Sequence, residues 1–395
     1  MRVALLSRGA HPLHEPGGME RSVYHLARHL QGIGVETVLL TRPPTRGGTF
    51  PGDVVTVPYG GNPASHGRVL QRTLHYPPFS VRLGEAVAAM VRSGRADVVH
   101  AQGLTALGYG RLRVGASDLT APLVMNPQGM EEHKTVGLKR LALGRLRALS
   151  REAARLSDRV IATDEATRKE VPGLLGVDGA RVVVLPNGVD PEEILESTPD
   201  DPEGVAAGMV PALAGASLVF LSVGRIEAYK GFDDTRRAFA LLGPRLPRDW
   251  AWVVVGDGPE RARLARSASP HEHFIGRVDE GVLHALYERA DVFVHATRYE
   301  GSSLVTLEAM AHRLPVVATK AGGIPDKVSE ETGRLVDPGD VVALAEALDS
   351  VAADAGSRRR LGERGRARAL TLFAWPQLAR RTVALYEELL RERRG

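Results

Sequence analysis

The sequence of 395 residues contains no cysteine. Disulfide bonds and thiolate zinc sites are therefore excluded, and a cytoplasmic location is the simpler prediction, because disulfides mark oxidising compartments. No uninterrupted apolar run approaches the roughly 20 residues that a membrane-spanning helix needs. The N-terminal MRVALLSRGAHP has only a short apolar core before Arg8, so we expect no secretory signal there.

The chain length indicates two domains, and the two halves of the chain differ in net charge. A chain of this length exceeds one ordinary core and suggests two domains of about 150–200 residues each. Residues 1–190 carry 24 basic and 16 acidic side chains, a net charge of +8, whereas residues 191–395 carry 27 and 31, a net charge of −4. We therefore expect any anionic surface or small molecule to meet the first half.

Short β-branched runs alternate with helical patterns along the whole chain, which predicts an α/β fold of parallel sheets covered on both faces. The pattern restarts near residue 215, so we predict a domain at 1–190, a linker at 191–214 and a second domain at 215–374. Each domain is expected to be a Rossmann-like sheet, and the two are expected to face each other across a cleft. The predicted strands are residues 2–7, 36–41, 97–101, 122–126, 159–163, 181–186, 217–224, 250–258, 273–278, 291–297 and 315–319.

The first motif after a predicted strand is GGME at 17–20, which opens a helix expected to run to about residue 31. Gly17 and Gly18 would let backbone N–H groups approach an anion at the helix N-terminus. The same pattern is also typical of a flexible loop before a helix. The chain has no G-x-G-x-x-G motif, which weakens a dinucleotide-cofactor interpretation.

The second motif is VGRIEAYKG at 223–231, again at a predicted strand end. Arg225 and Lys230 are five residues apart there. A planar guanidinium and a flexible ammonium group together suit a diphosphate. The alternative is that both are solvated surface charges.

The third motif is the segment EGSSLVTLE, which places Glu300 and Glu308 on either side of a glycine and two serines. A helix is predicted to begin near Ser302 or Ser303, with a serine N-cap and with N–H groups available to a phosphate or a hydroxyl. Glu308 would then lie about 7–8 Å along the helix axis. Its carboxylate could accept both hydroxyl protons of a ribose. Alternatively, Glu308 is an exposed helical residue and Glu300 a partner of the helix dipole.

Five motifs resemble, in the same order, those of the family 4 retaining glycosyltransferases, which have the GT-B fold of two facing Rossmann-like domains. They are GGME (17–20), PNGVD (186–190), GR-x-E-x-x-KG (224–231), E-x7-E (300–308) and GGIPD (322–326). Trp375 and Tyr386 are similar to a pair on the C-terminal helix of such enzymes. The resemblance thus implies a helix at about 375–395 that crosses back to the first domain, and it covers nearly the whole chain.

The resemblance implies transfer of a hexosyl group from a UDP- or GDP-sugar to an acceptor hydroxyl, with the anomeric configuration retained. It implies that Arg225 and Lys230 hold the donor diphosphate, that Glu308 binds the ribose, and that Glu300 lies by the transferred sugar. The leaving diphosphate gains negative charge that these two cations would stabilise. No metal cluster is evident, and neither a metal nor another cofactor is expected. The further donor-binding positions that the resemblance implies are Gly17, Gly18, Gly276, Arg277, Val278, Gly301, Ser302, Ser303 and Leu304.

We expect a front-face mechanism, in which the acceptor hydroxyl approaches on the side of the departing phosphate and that phosphate takes its proton. Glu300 would orient the sugar or stabilise an oxocarbenium-like state. His100, at a predicted strand end, is expected to face the cleft and to contact the acceptor or the sugar.

The first domain, which the resemblance assigns to the acceptor, departs from the family pattern at 126–134. Family members often have a histidine in an HG pair there, whereas this chain has Asn126 or Gln128 at that position. His133 lies five residues after Gln128 and could serve instead. EGSS also replaces the more usual EGFG. The acceptor is expected to be a sugar, a lipid-linked molecule or another small-molecule hydroxyl.

The basic segment 134–159 has eight lysines or arginines and two acidic residues, with an apolar stripe at helical spacing. One interpretation is a helix that lies on anionic lipid, which would add peripheral membrane contact on the cytoplasmic face. The favoured interpretation is a helix that packs on the sheet and leaves a solvated basic face. Nucleic-acid binding is not expected, because no aromatic residues interleave the charges.

Two other functions fit parts of the pattern. A nucleotide-sugar epimerase shares the two-sheet architecture, but the E-x7-E and GR…KG motifs argue against it. A nucleotide-binding protein without activity is the other alternative, which the intact set of Arg225, Lys230, Glu300 and Glu308 argues against.

Overall fold

The computed structural model describes residues 1–393 apart from 16, 62–68, 129, 131–132, 134–140 and 142. The chain forms two compact units. The first unit consists of Met1–Asn187 together with Trp375–Gly395, and the second unit consists of Gly188–Ala374. The C-terminal helix therefore belongs to the first unit.

Both units are built on parallel sheets, as the alternating apolar runs predicted. The strands are β1 (Arg2–Leu6), β2 (Glu36–Thr41), β3 (Asp53–Thr56), β4 (Val98–Gln102), β5 (Leu123–Asn126), β6 (Arg159–Ala162), β7 (Val182–Val184), β8 (Leu218–Val223), β9 (Trp250–Val255), β10 (Glu272–Gly276), β11 (Val292–His295), β12 (Val316–Thr319) and β13 (Gly333–Val336). The first sheet has the order β3-β2-β1-β4-β5-β6-β7, and the second has the order β10-β9-β8-β11-β12-β13. In each sheet the strand order reverses once, beside β1 and β8 respectively.

Helices connect the strands. They are α1 (Gly18–Gly32), α2 (Val69–Arg92), α3 (Ala106–Arg113), α4 (Gly144–Leu156), α5 (Glu165–Leu175), α6 (Pro191–Ser197), α7 (Pro202–Met209), α8 (Phe232–Leu242), α9 (Arg261–Arg266), α10 (Glu280–Arg289), α11 (Leu304–Ala311), α12 (Ile324–Lys327), α13 (Val341–Ala352), α14 (Ala355–Leu372) and α15 (Trp375–Glu392). Several begin at aspartate N-caps; for example, Asp279 accepts a hydrogen bond of 2.9 Å from Val282 N. An N-cap of this kind contributes about 1 kcal/mol to the stability of its helix.

Alternate residues of the central strands face two apolar cores in each unit, which is why these strands are apolar throughout. In β1, Ala4 packs into one cluster of buried side chains and Leu5 into the other. In β8, Leu221 packs into one apolar cluster of the second unit and Phe220 packs into the other. Among the described residues, no helix is long and apolar enough to cross a membrane.

Two strands and one segment differ from the sequence prediction. The strands β3 and β13 were not predicted, because neither is a continuous buried apolar run: β3 is exposed at all four residues, and β13 includes a glycine and an arginine. The predicted linker at 191–214 is instead helical and belongs to the second unit. It forms α6, α7 and a 3-10 turn, and α7 packs on α10.

Candidate active site

The point where the strand order reverses in the second sheet brings two predicted residues together. The strands β8 and β11 are neighbours there, and Lys230 follows β8 while Glu300 follows β11. Lys230 Nζ donates a hydrogen bond of 2.7 Å to Glu300 Oε2. Only 12% of the lysine side chain and 14% of the glutamate side chain are exposed. Ligands of open α/β sheets bind at such a reversal.

His295, the last residue of β11, joins this pair. Its Nε2 lies 2.7 Å from the same Glu300 Oε2. Because an ionised carboxylate only accepts hydrogen bonds, Nε2 is the donor. Burial favours the neutral carboxyl and would raise its pKa, but the hydrogen bond from His295 and the nearby charges of His295 and Lys230 prevail and lower the pKa of Glu300 to about 2. Glu300 is therefore ionised at neutral pH.

Sequence reasoning missed His295, although a signal was present. The segment DVFVHAT is apolar except at its ends and at this histidine. A polar side chain at the carboxyl end of a buried parallel strand points toward the ligand edge of the sheet. The spacing of five residues between this histidine and Glu300 is the signal that could have identified it.

Arg225 has a different environment from Lys230. Its side chain is 71% exposed, and its Nη2 lies 2.5 Å from Glu227 Oε1. An exposed ion pair of this kind contributes at most about 1 kcal/mol. The guanidinium can therefore leave Glu227 for a stronger anion at little cost.

Glycines let the backbone around this site approach closely. Gly231 has φ +73°, and a Cβ there would overlap the carbonyl oxygen of Ala296. Gly322 has φ +52°, and a Cβ there would overlap the carbonyl oxygen of Glu300. A backbone hydrogen bond of 2.7 Å from Arg298 N to Tyr229 O further ties the turn after β8 to the loop after β11.

The helix after the loop, α11, begins at Leu304, which is one residue after Ser303 and two after Ser302, the two predicted starting positions. Ser303 occupies the N-cap position, but its side chain makes no hydrogen bond to a backbone N–H of the helix. Its Oγ lies 2.7 Å from Thr306 Oγ1 instead. Ser303 has φ +34°, a left-handed conformation that is uncommon for residues other than glycine. The Ser302 hydroxyl is buried and has no hydrogen-bond partner among the described residues. Gly301 N donates a hydrogen bond of 3.0 Å to Glu300 Oε1.

Glu308 is half-buried and is held by a tyrosine from the neighbouring helix. Tyr287 OH donates a hydrogen bond of 3.0 Å to Glu308 Oε2. The Tyr287 ring stacks on the His312 ring at 5.2 Å, and His312 Nδ1 lies 2.6 Å from Glu288 Oε1. This hydrogen bond and the charge of His312 lower the pKa of Glu288. The network fixes the direction of the Glu308 carboxylate, and no sequence pattern predicts these contacts.

The predicted positions after β10 are a turn at the same edge of the second sheet. Gly276 has φ +83° and lies against the Arg261 guanidinium. Arg277 is exposed, and Val278 packs on the apolar core.

In the first unit, Gly17 is the N-cap of α1 and has an extended backbone, and Gly18 is the first helical residue. The Glu20 carboxylate lies so close to Gly17 that a Cβ at this glycine would overlap Glu20 Oε2. The observed helix, α1, agrees with the one predicted from GGME.

The predicted acceptor residues form a chain of amides. Gln128 N donates 3.2 Å to Asn126 Oδ1, and Gln128 Nε2 donates 3.1 Å to Gln102 Oε1. Gln102 Nε2 lies 3.4 Å from His100 Nε2. His133 is half-buried, and its backbone N donates 2.9 Å to Met130 O.

The expectation that His100 faces an open cleft is wrong. Only 2% of the residue is exposed. Its Nδ1 lies 2.6 Å from Tyr386 OH on α15 of the same unit. The strand β4 continues for two residues beyond His100, to Gln102, and the C-terminal helix covers the histidine there. We therefore give His100 a structural role.

Because His100 is buried, its burial lowers the pKa to about 4 from the ordinary value of 6.5. Above pH 6.5 the folded and unfolded chains both hold a neutral imidazole. As the pH falls below 6.5, the unfolded chain takes up the proton first, so the unfolding free energy falls until about pH 4. The expected loss is about 3 kcal/mol, since a tenfold change in proton affinity is about 1.4 kcal/mol.

Urea unfolding between pH 7 and pH 4 measures this loss, and His100→Gln should reduce the pH dependence; part of it remains, because burial also lowers the pKa of His14 and of His273. Tyr386→Phe keeps the buried imidazole and should keep the pH dependence. Equal slopes for the natural protein and His100→Gln would show that this histidine is not the titrating group.

The described part of the basic segment packs on the first unit. Ala153 and Leu146 of α4 are buried in its core, and Leu149 and Leu156 pack against that core. Leu141 is exposed. This arrangement agrees with the favoured interpretation for residues 144–156, while residues 134–140 lie outside the described residues.

Comparison with known proteins identifies the family. The family model for glycosyl transferases group 1 matches residues 211–368, and the model for glycosyltransferase family 4 matches residues 16–193. The D-inositol 3-phosphate glycosyltransferase of Xylanimonas cellulosilytica is 30% identical over 430 residues, which cover 99% of this chain and 98% of that protein.

Solved structures support the fold. Sucrose-phosphate synthase from Thermosynechococcus elongatus has a TM-score of 0.76 at 23% identity and covers 99% of both chains. Anabaena HepE in complex with UDP has a TM-score of 0.72 at 17% identity, covering 98% of this chain and all of that one. The match to the family sets aside the epimerase and the inactive nucleotide-binding protein. The chain belongs to the family 4 glycosyltransferases, and it is a glycosyltransferase enzyme of the GT-B fold.

Proposed function

We propose that this enzyme transfers a hexosyl group from a nucleotide-diphosphate sugar to an acceptor hydroxyl with retention of configuration. The observation that carries the proposal is the buried set of Lys230, Glu300 and His295 at the strand reversal of the second sheet. Lys230 and His295 both donate to the ionised carboxylate of Glu300, which makes the site charged, largely buried and rigid. Such preorganised groups stabilise charge that develops during a reaction.

The cations have distinct tasks in this proposal. Lys230 is a nearly buried point charge beside Glu300, and it would bind the diphosphate as negative charge develops on the leaving group. Arg225 is exposed and weakly paired, so its guanidinium would close over the diphosphate when the donor binds. The N–H groups at the start of α11, with Gly301, Ser302, Ser303 and Leu304, would complete the anion site.

The carboxylates would hold the two ends of the donor. Glu308, oriented by Tyr287, would accept hydrogen bonds from the ribose hydroxyls. Glu300 would face the transferred sugar and stabilise an oxocarbenium-like state, since it is ionised at neutral pH. The turn at Gly276, Arg277 and Val278 would lie near the base, and Gly17 and Gly18 would offer N–H groups of α1 to the diphosphate.

The acceptor would bind in the first unit, near Asn126, Gln128 and His133. In a front-face reaction the acceptor hydroxyl forms the new bond to the anomeric carbon, the bond from that carbon to the diphosphate oxygen breaks, and the departing phosphate takes the hydroxyl proton. No enzyme nucleophile is then needed, which fits the double pairing of Glu300 with Lys230 and His295. We place the reaction in the cytoplasm, with a sugar, lipid-linked or small-molecule acceptor.

Nucleotide binding tests this proposal. UDP, GDP and ADP are added separately at millimolar concentration, and thermal unfolding is followed; a ligand that binds only the folded state at 100 times its Kd stabilises by about 2.7 kcal/mol. UDP is tested first, because HepE was crystallised with it. We expect one nucleotide to raise the Tm by several degrees and its sugar to be hydrolysed slowly, with EDTA having no effect. The proposal fails if none of the nucleotides shifts the Tm and no nucleotide sugar is cleaved.

A further inference from the structure

A cavity of about 310 Å³ lies within the first unit, beyond the carboxyl ends of β1, β4 and β5. These strands are neighbours, and the strand order reverses between β1 and β4. This is the position at which open α/β sheets bind ligands. The volume lies at the small end of ligand pockets and suits a molecule the size of one monosaccharide.

Arg8 lines this cavity and carries a buried donor. Its Nη1 is buried and has no hydrogen-bond partner among the described residues. The guanidinium carbon lies 5.3 Å from the centre of the Tyr76 ring, and Tyr76 OH donates 3.3 Å to Gln102 O. The cation–π contact with an anchored ring holds the guanidinium in place. A buried donor without a partner costs about 1–3 kcal/mol, and a bound anion beside the guanidinium would offset part of that cost.

The charges around the cavity favour an anion. Arg8 and Arg72 line it together with one carboxylate, Glu20. Behind them lies Arg42, which is only 2% exposed and has two guanidinium nitrogens without a partner among the described residues. Burial and then the charge of Arg8 lower the pKa of Arg42. Among the described residues that line the cavity, two arginines therefore stand against one carboxylate, an excess of positive charge.

Amide groups line the cavity beside the arginines. Gln102 and Gln128 both face it, and their mutual hydrogen bond of 3.1 Å fixes which way their amides point. Gln102 is also near His100 Nε2, at 3.4 Å. Amides held in one orientation select hydroxyl groups by direction, since each offers both donors and an acceptor.

We propose that this cavity is the acceptor site and that its acceptor is an anionic monosaccharide, either a sugar phosphate or a sugar acid. Arg8 and Arg72 would bind the anionic group, and Gln102 and Gln128 would bind ring hydroxyls. The identification as an acceptor rests on the proposed function, because only a transferase needs a second sugar. The arginines that line the cavity assign a negative charge to the molecule that binds there.

Three probes separate charge from sugar shape: glucose 6-phosphate, glucuronate and glucose. Each is titrated in the presence of a saturating nucleoside diphosphate, so that the donor site is occupied, and binding is followed by calorimetry. We expect glucose 6-phosphate, glucuronate or both to bind at least 10-fold more tightly than glucose, and the stronger of the two identifies phosphate or carboxylate as the anion. Equal affinity for glucose, or no binding of either charged probe, overturns the proposal.

Arg8→Gln tests the assigned residue. Loss of a hydrogen bond to a charged group should weaken binding of the charged probe by about 10- to 100-fold, with no change for glucose. The Tm of the variant without ligand should not fall, because the repulsion between Arg8 and Arg42 is relieved. A residue with a merely structural role would lower the Tm and leave the difference between charged and neutral probes intact. Arg72→Gln is the second variant if Arg8→Gln does not fold.

Arg168→Gln is the matched control. Arg168 lies in the same unit and is exposed, with its partner Glu165 on the same helix. The variant Arg168→Gln should bind the charged probe as tightly as the natural protein does. Equal affinities of Arg8→Gln and Arg168→Gln for that probe would contradict the role assigned to Arg8. Failure of the sugars with a nucleotide still bound would leave the proposed function in place. Failure of the nucleotides with glucose 6-phosphate still bound would remove the proposed function and leave an anion site.

Discussion

Glu300→Gln is expected to lower kcat by about 10²- to 10³-fold, which is the usual effect of removing one preorganised electrostatic group. The carboxylate is ionised and receives hydrogen bonds of 2.7 Å from both Lys230 and His295. An amide of the same size cannot neutralise them, so Lys230 would hold the donor diphosphate without its counterion and the developing charge on the sugar would lose its stabilising partner. Initial rates of donor hydrolysis and of glycosyl transfer, measured at saturating donor, give the change.

The control for this variant is Asp337→Asn. Asp337 is an exposed carboxylate in the same unit that pairs with Lys320 at 3.1 Å, so its neutralisation should change kcat less than twofold. Breaking a buried ion pair also destabilises a protein by about 3–5 kcal/mol, so the assays are run well below the Tm of each variant. Unchanged hydrolysis and transfer in folded Glu300→Gln would refute the assigned role of Glu300.

The ion pair can be tested as a unit by adding Lys230→Ala. If Lys230 and Glu300 act on the same charge, the double variant loses less activity than the product of the two single losses, because residues in contact are not additive. If the losses multiply, the two side chains act on different steps. Lys320→Ala provides the matched lysine control, since its ammonium group also pairs with a carboxylate of the second unit but is 53% exposed.

The fold was accessible from sequence because central parallel strands must be apolar on both faces. The runs around β1 and β8 are continuous in Val, Leu and Phe for that reason. The edge strands β3 and β13 lack the pattern, since β3 is exposed at all four residues and β13 carries a glycine and an arginine. Residues 191–214 were predicted to be a linker because prolines and acidic residues are typical of loops. Here, however, Asp190 and Asp201 are N-caps, and the proline after each of them is the first residue of a helix.

The site was only partly accessible for a related reason. Motif spacing located Lys230 and Glu300, since both follow strands directly, and the structure brings them to 2.7 Å. Contacts between distant helices leave no such pattern, so the support of Glu308 by Tyr287 was not predicted. The same holds for His100, which was expected at a strand end but lies in the middle of β4 and contacts Tyr386, 286 residues later in the chain.

Gly231→Ala is expected to destabilise the enzyme by about 2–5 kcal/mol and to abolish most activity. Gly231 adopts φ +73° and ψ +21°, and left-handed backbone costs other residues about 1–2 kcal/mol. The added Cβ would also overlap the carbonyl oxygen of Ala296, which adds about 1–3 kcal/mol of overpacking. Relief of the overlap must separate the turn that carries Lys230 from the loop that carries Glu300, so the distance between these side chains changes. Thermal unfolding should show a decrease in Tm of about 2–4 °C for each kcal/mol.

Two other glycines separate the causes of this effect. Gly176 has nearly the same backbone, with φ +68° and ψ +44°, and a Cβ there meets no atom within 4 Å; Gly176→Ala should therefore show the conformational cost alone, with full activity. Gly215 has φ −114° and also has open space, so Gly215→Ala should be near neutral. If Gly231→Ala is no more destabilised than Gly176→Ala, and if it keeps its kcat, then the close approach of the two segments does not position Lys230. A larger loss confined to Gly231→Ala shows that the catalytic ion pair depends on a backbone contact that only glycine permits.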